Sequence, residues 1–211
     1  WKAGGVVVPL NPKLSHTQKY KILEQIRPWG IIQFKENQTT SFENPIYPPN
    51  EVDLLIATSG STGNPKLVAL SVGNFIWSAK GSSENIPVDP DDKWLINLPL
   101  FHVGGMSIIF RTMLAGATAI ISPKNINADF IDQNRITHFS LVSTQLDRFI
   151  QADFPLKKGP KAILLGGSKI PQFLIKKSME LNLPIHSSYG CSEMASQVCT
   201  TAKGATQNEL M

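Results

Sequence analysis

Short apolar runs separated by polar stretches with helical spacing organise this chain. Val6-Val7-Val8-Pro9-Leu10, closed by Asn11-Pro12, reads as a strand, and Ile31-Ile32-Gln33-Phe34 as a second, shorter one. Between them Ser15 and Gln18 stand at capping-box spacing and open a helix through Ile22 and Ile26. Residues 35–51 are polar and proline-rich and read as a loop. Val52 to Ala57 and Leu67 to Leu70 predict two more strands, and Ser71 predicts the cap of a helix from about Asn74 to Ser82. From there strand and helix alternate. Strands are expected at 94–97, 117–121, 139–142, 162–165 and 184–189, with helices at 104–114, 126–133, 144–152 and 171–181. Pro171 suits the first turn of the last helix.

Strands alternating with helices predict an α/β fold: mostly parallel sheets covered by helices, joined by right-handed crossovers. In open sheets of this type ligands bind beyond the carboxyl ends of the strands. Three glycine-rich or polar loops, at 58–66, 166–168 and 189–193, each follow a strand and are expected to gather at one sheet edge. No internal repeat and no low-complexity tract interrupts this order.

Composition narrows the partners. The 211 residues suffice for one core or two small lobes, and 42% hydrophobic with 17% charged residues is the profile of a soluble globular protein. The net charge of +4 comes from 20 Lys and Arg with no run of four, so nucleic acid is not expected as a partner. No apolar run is long enough for a membrane span. Cys191 and Cys199 build neither a disulfide framework nor a zinc pattern, which points to a reducing, cytoplasmic setting. Trp1 opens in mid-element without a signal-peptide layout, as expected of a piece of a longer chain.

The strongest chemical signal is Thr58-Ser59-Gly60-Ser61-Thr62-Gly63-Asn64-Pro65-Lys66. Three hydroxyls from Ser59 to Thr62, the glycines Gly60 and Gly63, and the Lys66 cation fit a phosphate cradled by backbone N–H groups. It is not a Walker loop: Pro65 occupies the second glycine position, has no N–H, and stops a phosphate-gripping helix from following. The loop is therefore read as a strand–loop–strand grip. Tyr189-Gly190-Cys191-Ser192-Glu193 adds a flat ring for a purine, a hydroxyl for phosphate and a carboxylate suited to Mg²⁺. By itself this run also reads as a helix start, with Glu193 favoured by the dipole.

Other candidates are weaker on their own. His102, between apolar residues and Gly104-Gly105, reads as a pocket residue or as a packed imidazole. His138 and His186 read as packed, and His16 as a surface residue at a helix start. Gly166-Gly167-Ser168 reads as bare backbone for a planar ligand or as a tight turn. Cys199 reads as a small core residue. Cys191 has no neighbouring base to activate it.

Taken together, the motifs Thr58 to Lys66, Phe101-His102, Tyr189 to Glu193 and Lys2-Ala3-Gly4-Gly5 through Pro12 resemble those of the adenylate-forming enzymes: acyl-CoA ligases, luciferases and peptide-synthetase adenylation domains. The likeness runs over the whole chain, in the family's order. Within that superfamily, Leu98 to Gly104, Ser143 to Leu146, Leu164 to Ile170 and Tyr189 to Cys199 are most similar to the o-succinylbenzoate–CoA ligases of menaquinone biosynthesis.

The resemblance implies that a small-molecule carboxylate attacks ATP to give an acyl-adenylate, after which coenzyme A displaces AMP. Thr58, Ser59, Gly60, Ser61, Thr62, Gly63 and Lys66 would then hold the β- and γ-phosphates. Glu193 would bind Mg²⁺, Ser192 the α-phosphate, and Tyr189 and Gly190 would meet the adenine. Gly166, Gly167 and Ser168 would lie along adenine and acyl group, with His102, Thr144 and Gln145 bordering the acyl pocket. Ser192 replaces the family's usual Thr and keeps its hydroxyl; Leu67 replaces a common Gly.

The resemblance further implies that residues 1–211 are an inner part of the AMP-binding N-terminal domain. The family's ribose-binding Asp, hinge and C-terminal lid with its Lys have no place among them. On that reading this piece binds nucleotide weakly without turnover, and a homodimer is among the partners allowed. The other readings are a ligase for another aryl or fatty acid, a carrier-protein adenylation domain, and a non-catalytic nucleotide-binding module.

Overall fold

A computed structural model describes residues 5–28, 31–32, 39–40, 51–58, 65–123, 128–152 and 159–206, which divide into two compact units at Val72. In the first unit, helix α1 (His16–Ile26) starts as its sequence dictates. The Gln18 N–H donates to Ser15 Oγ (3.2 Å) and the Ser15 N–H to Gln18 Oε1 (3.0 Å). Strands β1 (Ile31–Ile32) and β2 (Thr39–Thr40) form a small antiparallel pair, so the stretch expected to be all loop contributes a strand.

Strands β3 (Leu54–Thr58) and β4 (Lys66–Leu70) form an antiparallel hairpin whose last pair is Thr58 opposite Lys66. Val7 adds a single parallel bridge to Leu54 rather than a full strand. The Asp53 carboxylate accepts the Val72 N–H at 2.7 Å.

The second unit begins as helix α2 (Val72–Asn85) runs on, and its described residues form in chain order β5 (Lys93–Ile96), α3 (Val103–Ala115), β6 (Thr118–Ile121), α4 (Ala128–Asn134), β7 (His138–Leu141), α5 (Ser143–Gln151), β8 (Ala162–Leu165), α6 (Gln172–Glu180), β9 (Ile185–Cys191) and β10 (Ser196–Thr200). The sheet order is β10-β9-β8-β7-β5-β6, parallel except for the antiparallel edge strand β10. The chain leaves β5 toward β6, returns past β5 to β7, and continues outward. The topological switch therefore lies between β5 and β7, the crevice where such sheets bind ligands.

Alternation within each strand sorts the core into two layers. Leu95, Phe139, Leu141, Ile163 and Leu165 pack with Ile131, Leu146, Leu174 and Ile175 from α4, α5 and α6. The intervening Trp94, Ala162 and Leu164 pack with Ile108 of α3. On that second face α2 and α3 are joined by stacked Phe75 and Phe110 rings, centroids 4.6 Å apart. Ile163 is wholly buried on the central strand β8. Ile163→Ala should cost about 2–5 kcal/mol, read as a lower urea midpoint at unchanged m-value.

Two expectations are corrected here. The loop after Thr58 joins strands of a separate two-stranded sheet, so the six-stranded sheet carries only two of the three loops expected at one edge. Cys199 is exposed rather than part of the core, because it lies on the edge strand β10.

Among the described residues no helix is long and apolar enough to cross a membrane.

Candidate active site

In the second unit, the carboxyl ends of β5, β7, β8 and β9 carry the candidate residues. β8 ends in Gly166-Gly167-Ser168. A Cβ at Gly166 would stand 2.7 Å from Ser188 Oγ, so the bare backbone there lets the neighbouring strand β9 approach closely. That hydroxyl donates to the Leu165 carbonyl at 2.9 Å. Gly167 has φ +82°, a left-handed turn that side chains resist. The turn brings Ser168 Oγ to 3.4 Å from Ser143 Oγ at the start of α5, so the ends of β7 and β8 meet through hydroxyls.

On the next strand, Tyr189, Gly190 and Cys191 belong to β9 itself, and Ser192–Met194 form a 3₁₀ turn. Tyr189 is 66% exposed, so its ring face is free to receive a planar group. Gly190 is dictated by packing: a Cβ there would lie 1.8 Å from the Ser196 carbonyl oxygen of β10. The chain reverses through Ala195 (φ 51°) and Ser196 (φ 120°), both in the left-handed range. Glu193 is exposed at this turn and has no ion-pair partner among the described residues. Among these residues no three His, Cys, Asp or Glu side chains converge to hold a metal. One unengaged carboxylate instead fits a Mg²⁺ ion that arrives on substrate phosphates and keeps its waters.

The remaining candidates lie on either side of the switch. Asn97, at the exit of β5, donates through Nδ2 to the Ser140 carbonyl of β7 at 2.5 Å and ties the two sides together. His102 caps α3 through its backbone. Its exposed ring meets Phe101 edge-on at 4.6 Å, and partial burial lowers its pKa. Thr144 is exposed, whereas Gln145 turns its side-chain oxygen back to accept the Val142 N–H at 3.1 Å. In the other unit, Thr58 Oγ1 donates to the Lys66 carbonyl (3.4 Å) and Lys66 is exposed at the hairpin end. Ser59, Gly60, Ser61, Thr62 and Gly63 lie outside the described residues.

His138 and His186 are buried, 1% and 2% exposed, as packed imidazoles should be. His138 holds Thr137 Oγ1 (2.8 Å) and the Pro87 carbonyl (3.2 Å), and burial lowers its pKa despite Asp92 nearby, with Lys161 and His186 acting in the same direction as burial. The unfolded chain therefore takes up a proton near the ordinary value of 6.5 while the folded chain does so only at lower pH. Stability should be level above that value and fall as the pH drops below it. Urea midpoints taken from about pH 7 to about pH 5 should show this slope, and His138→Asn should flatten it.

One residue escaped the sequence reading. Arg111, on α3, is only 4% exposed, yet no carboxylate contacts it among the described residues. Its guanidinium carbon sits 5.3 Å from the Trp94 ring centre and Nη2 donates to Ser196 Oγ at 3.4 Å, while Nε and Nη1 find no partner among the described residues. Burial pushes its pKa down to about 9, so it remains a cation at neutral pH. The available signal was a lone charge in the apolar run Ile108-Ile109-Phe110-Arg111.

A doubly wound sheet with a glycine turn and a Tyr-Gly-Cys-Ser-Glu turn at neighbouring strand ends is the layout of a nucleotide-using enzyme. The chain belongs to the AMP-binding enzyme family, whose model matches residues 26–210. It is 33% identical, over 94% of its length, to a 2-succinylbenzoate–CoA ligase of Bacillus cereus strain AH820. Its structure resembles a variant of MenE from E. coli with bound OSB-AMS (29% identity, TM-score 0.76, 93% of this chain and 46% of that one). It is similar to o-succinylbenzoate coenzyme A synthetase of Bacillus subtilis in complex with ATP and magnesium ion at 29% identity and TM-score 0.75, covering 92% of this chain and 46% of that one. The chain spans 32% and 46% of the length of two curated relatives it matches.

Proposed function

We propose that this chain is the inner part of the AMP-binding domain of an ATP-dependent o-succinylbenzoate–CoA ligase. The observation that carries the reading is the pairing of β8 and β9. These adjacent parallel strands deliver the Gly166–Ser168 and Tyr189–Glu193 turns to one edge, in a chain whose relatives bear that ligase name. In the first step a substrate carboxylate oxygen attacks the α-phosphorus of ATP, and pyrophosphate leaves. In the second, the coenzyme A thiol attacks the acyl carbon, and AMP leaves.

Each chain group has a part in the first step. Thr58 to Gly63 and Lys66 hold the β- and γ-phosphates, and Ser192 binds the α-phosphate. The Tyr189 face receives adenine beside Gly190, and the Gly166–Ser168 turn borders adenine and acyl group. His102 and Thr144 line the acyl side, with Gln145 supporting that wall. Glu193 holds Mg²⁺, which neutralises phosphate charge as it builds. Two anions must meet, so placement and charge carry the catalysis.

The acid itself gives Arg111 a role. A succinylbenzoate has two carboxylates; one is adenylated and the other remains an anion. A buried cation with free N–H groups is the partner such an anion needs. The reading also places the protein in the cytoplasm, with a C-terminal lid outside these residues and homodimerisation allowed.

The test is acid-dependent ATP–pyrophosphate exchange by the full-length polypeptide, with o-succinylbenzoate beside benzoate and a medium-chain fatty acid. Exchange driven by o-succinylbenzoate is expected. Exchange with the other acids alone points to a different ligase, and ATP binding without exchange to a non-catalytic module.

A further inference from the structure

A cavity of about 730 Å³ lies away from the candidate active site. It opens at the amino ends of the same strands, among His138 at the start of β7, Lys161 just before β8, and Pro184 and His186 where β9 begins. Four residues of strand rise about 13 Å, so the length of β8 separates this cavity from the Gly166 turn. Its volume lies in the ordinary range for small-molecule sites.

The chemistry of its wall is selective. Ile86, Phe149, Leu181 and Leu183 make it apolar on several sides. Lys161 is already neutralised, with Nζ 2.7 Å from Asp92 and 3.5 Å from Asp89. Lys203 has no ion-pair partner among the described residues. His186 is 2% exposed, and its Nδ1 donates to the Thr201 carbonyl at 2.9 Å. That bond fixes the proton on Nδ1 and leaves Nε2 an acceptor. Nε2 has no partner among the described residues, and because His186 lines the cavity this acceptor is available to a group inside it. Both imidazole nitrogens of His138 are engaged, so His186 is the acceptor in question.

We propose that this cavity is a second ligand site, taking a small aryl carboxylate that also carries a hydroxyl group. The carboxylate meets Lys203, the hydroxyl donates to His186 Nε2, and the ring lies against Phe149 and Leu183. Phosphate fits worse, because it brings no apolar surface and needs more cationic donors than this wall leaves unpaired. A built-in reporter stands beside the site: His138 lines the cavity and stacks on Trp94, ring centres 5.1 Å apart.

The experiment titrates the chain with 4-hydroxybenzoate and follows the Trp94 indole N–H resonance, assigned with Trp94→Phe. A saturable shift is expected. It should weaken about tenfold in Lys203→Glu, an exposed site whose change leaves the remaining resonances in place. Benzoate, without the hydroxyl, should bind more weakly, and o-succinylbenzoate should not displace the probe. Any of four results overturns the proposal: no saturation, equal affinity in Lys203→Glu, equal affinity for inorganic phosphate, or displacement by o-succinylbenzoate. Because the readout is binding at the amino edge, none of them bears on whether the other edge forms adenylates.

Discussion

Replacing Arg111 by methionine is expected to make the protein more stable and a poorer ligase. The two effects share one cause. A guanidinium buried on α3 against Trp94, with two nitrogens unmatched, is held at a cost. Filling its place with an apolar side chain of similar length should raise stability by about 1–4 kcal/mol. The same change removes the cation proposed to receive the second carboxylate of the acid. Losing a charge-assisted contact of about 3 kcal/mol corresponds to about a hundredfold lower kcat/KM for o-succinylbenzoate. The measurement pairs urea denaturation with exchange kinetics in the full-length protein. A monocarboxylate aryl acid serves as control, since its poor turnover should change little. Lower stability with unchanged kinetics would mean that Arg111 is a packing residue.

Gly190→Ala is the second substitution with a large expected effect. The new methyl would stand 1.8 Å from the Ser196 main-chain oxygen, far inside contact, and its own position is set by the Gly190 backbone. Neither can rotate away, so the β9–β10 pairing of Gly190 with Gln197 must open. A loss of about 3 kcal/mol is expected, with faster amide exchange along Ser196–Thr200. Because Ser196 also accepts from Arg111 and closes the turn bearing Glu193, exchange activity of the full-length protein should fall with it. Wild-type stability together with protected β10 amides would contradict this account.

How much of this was legible beforehand follows from whether a feature is local. The Ser15–Gln18 box and the strands from β5 to β9 were readable because capping and apolar runs are properties of a few neighbours. β10 was not, since Ser196-Gln197-Val198-Cys199-Thr200 carries little pattern and becomes a strand only by pairing with β9. For the same reason Cys199 was expected in a core and lies at an exposed edge. The hairpin that presents Lys66 was recognised as two strands, but nothing in its letters says that they form their own sheet. Of the candidate site, residue types were readable and neighbours were not. Gly166 answers to Ser188, Gln145 to its own helix, and Arg111 became conspicuous only once its burial was known.

The switch between β5 and β7 also bears on engineering. The segment from Leu98 to His102 leaves from β5, whereas the Gly166 and Tyr189 turns leave from β8 and β9, on the far side of β7. A chimera that replaces the 98–102 segment therefore changes the loop on one side of the switch and leaves the turns on the other side intact. On the proposed reading, such a graft would alter the acid side of the site and leave the nucleotide side as it is.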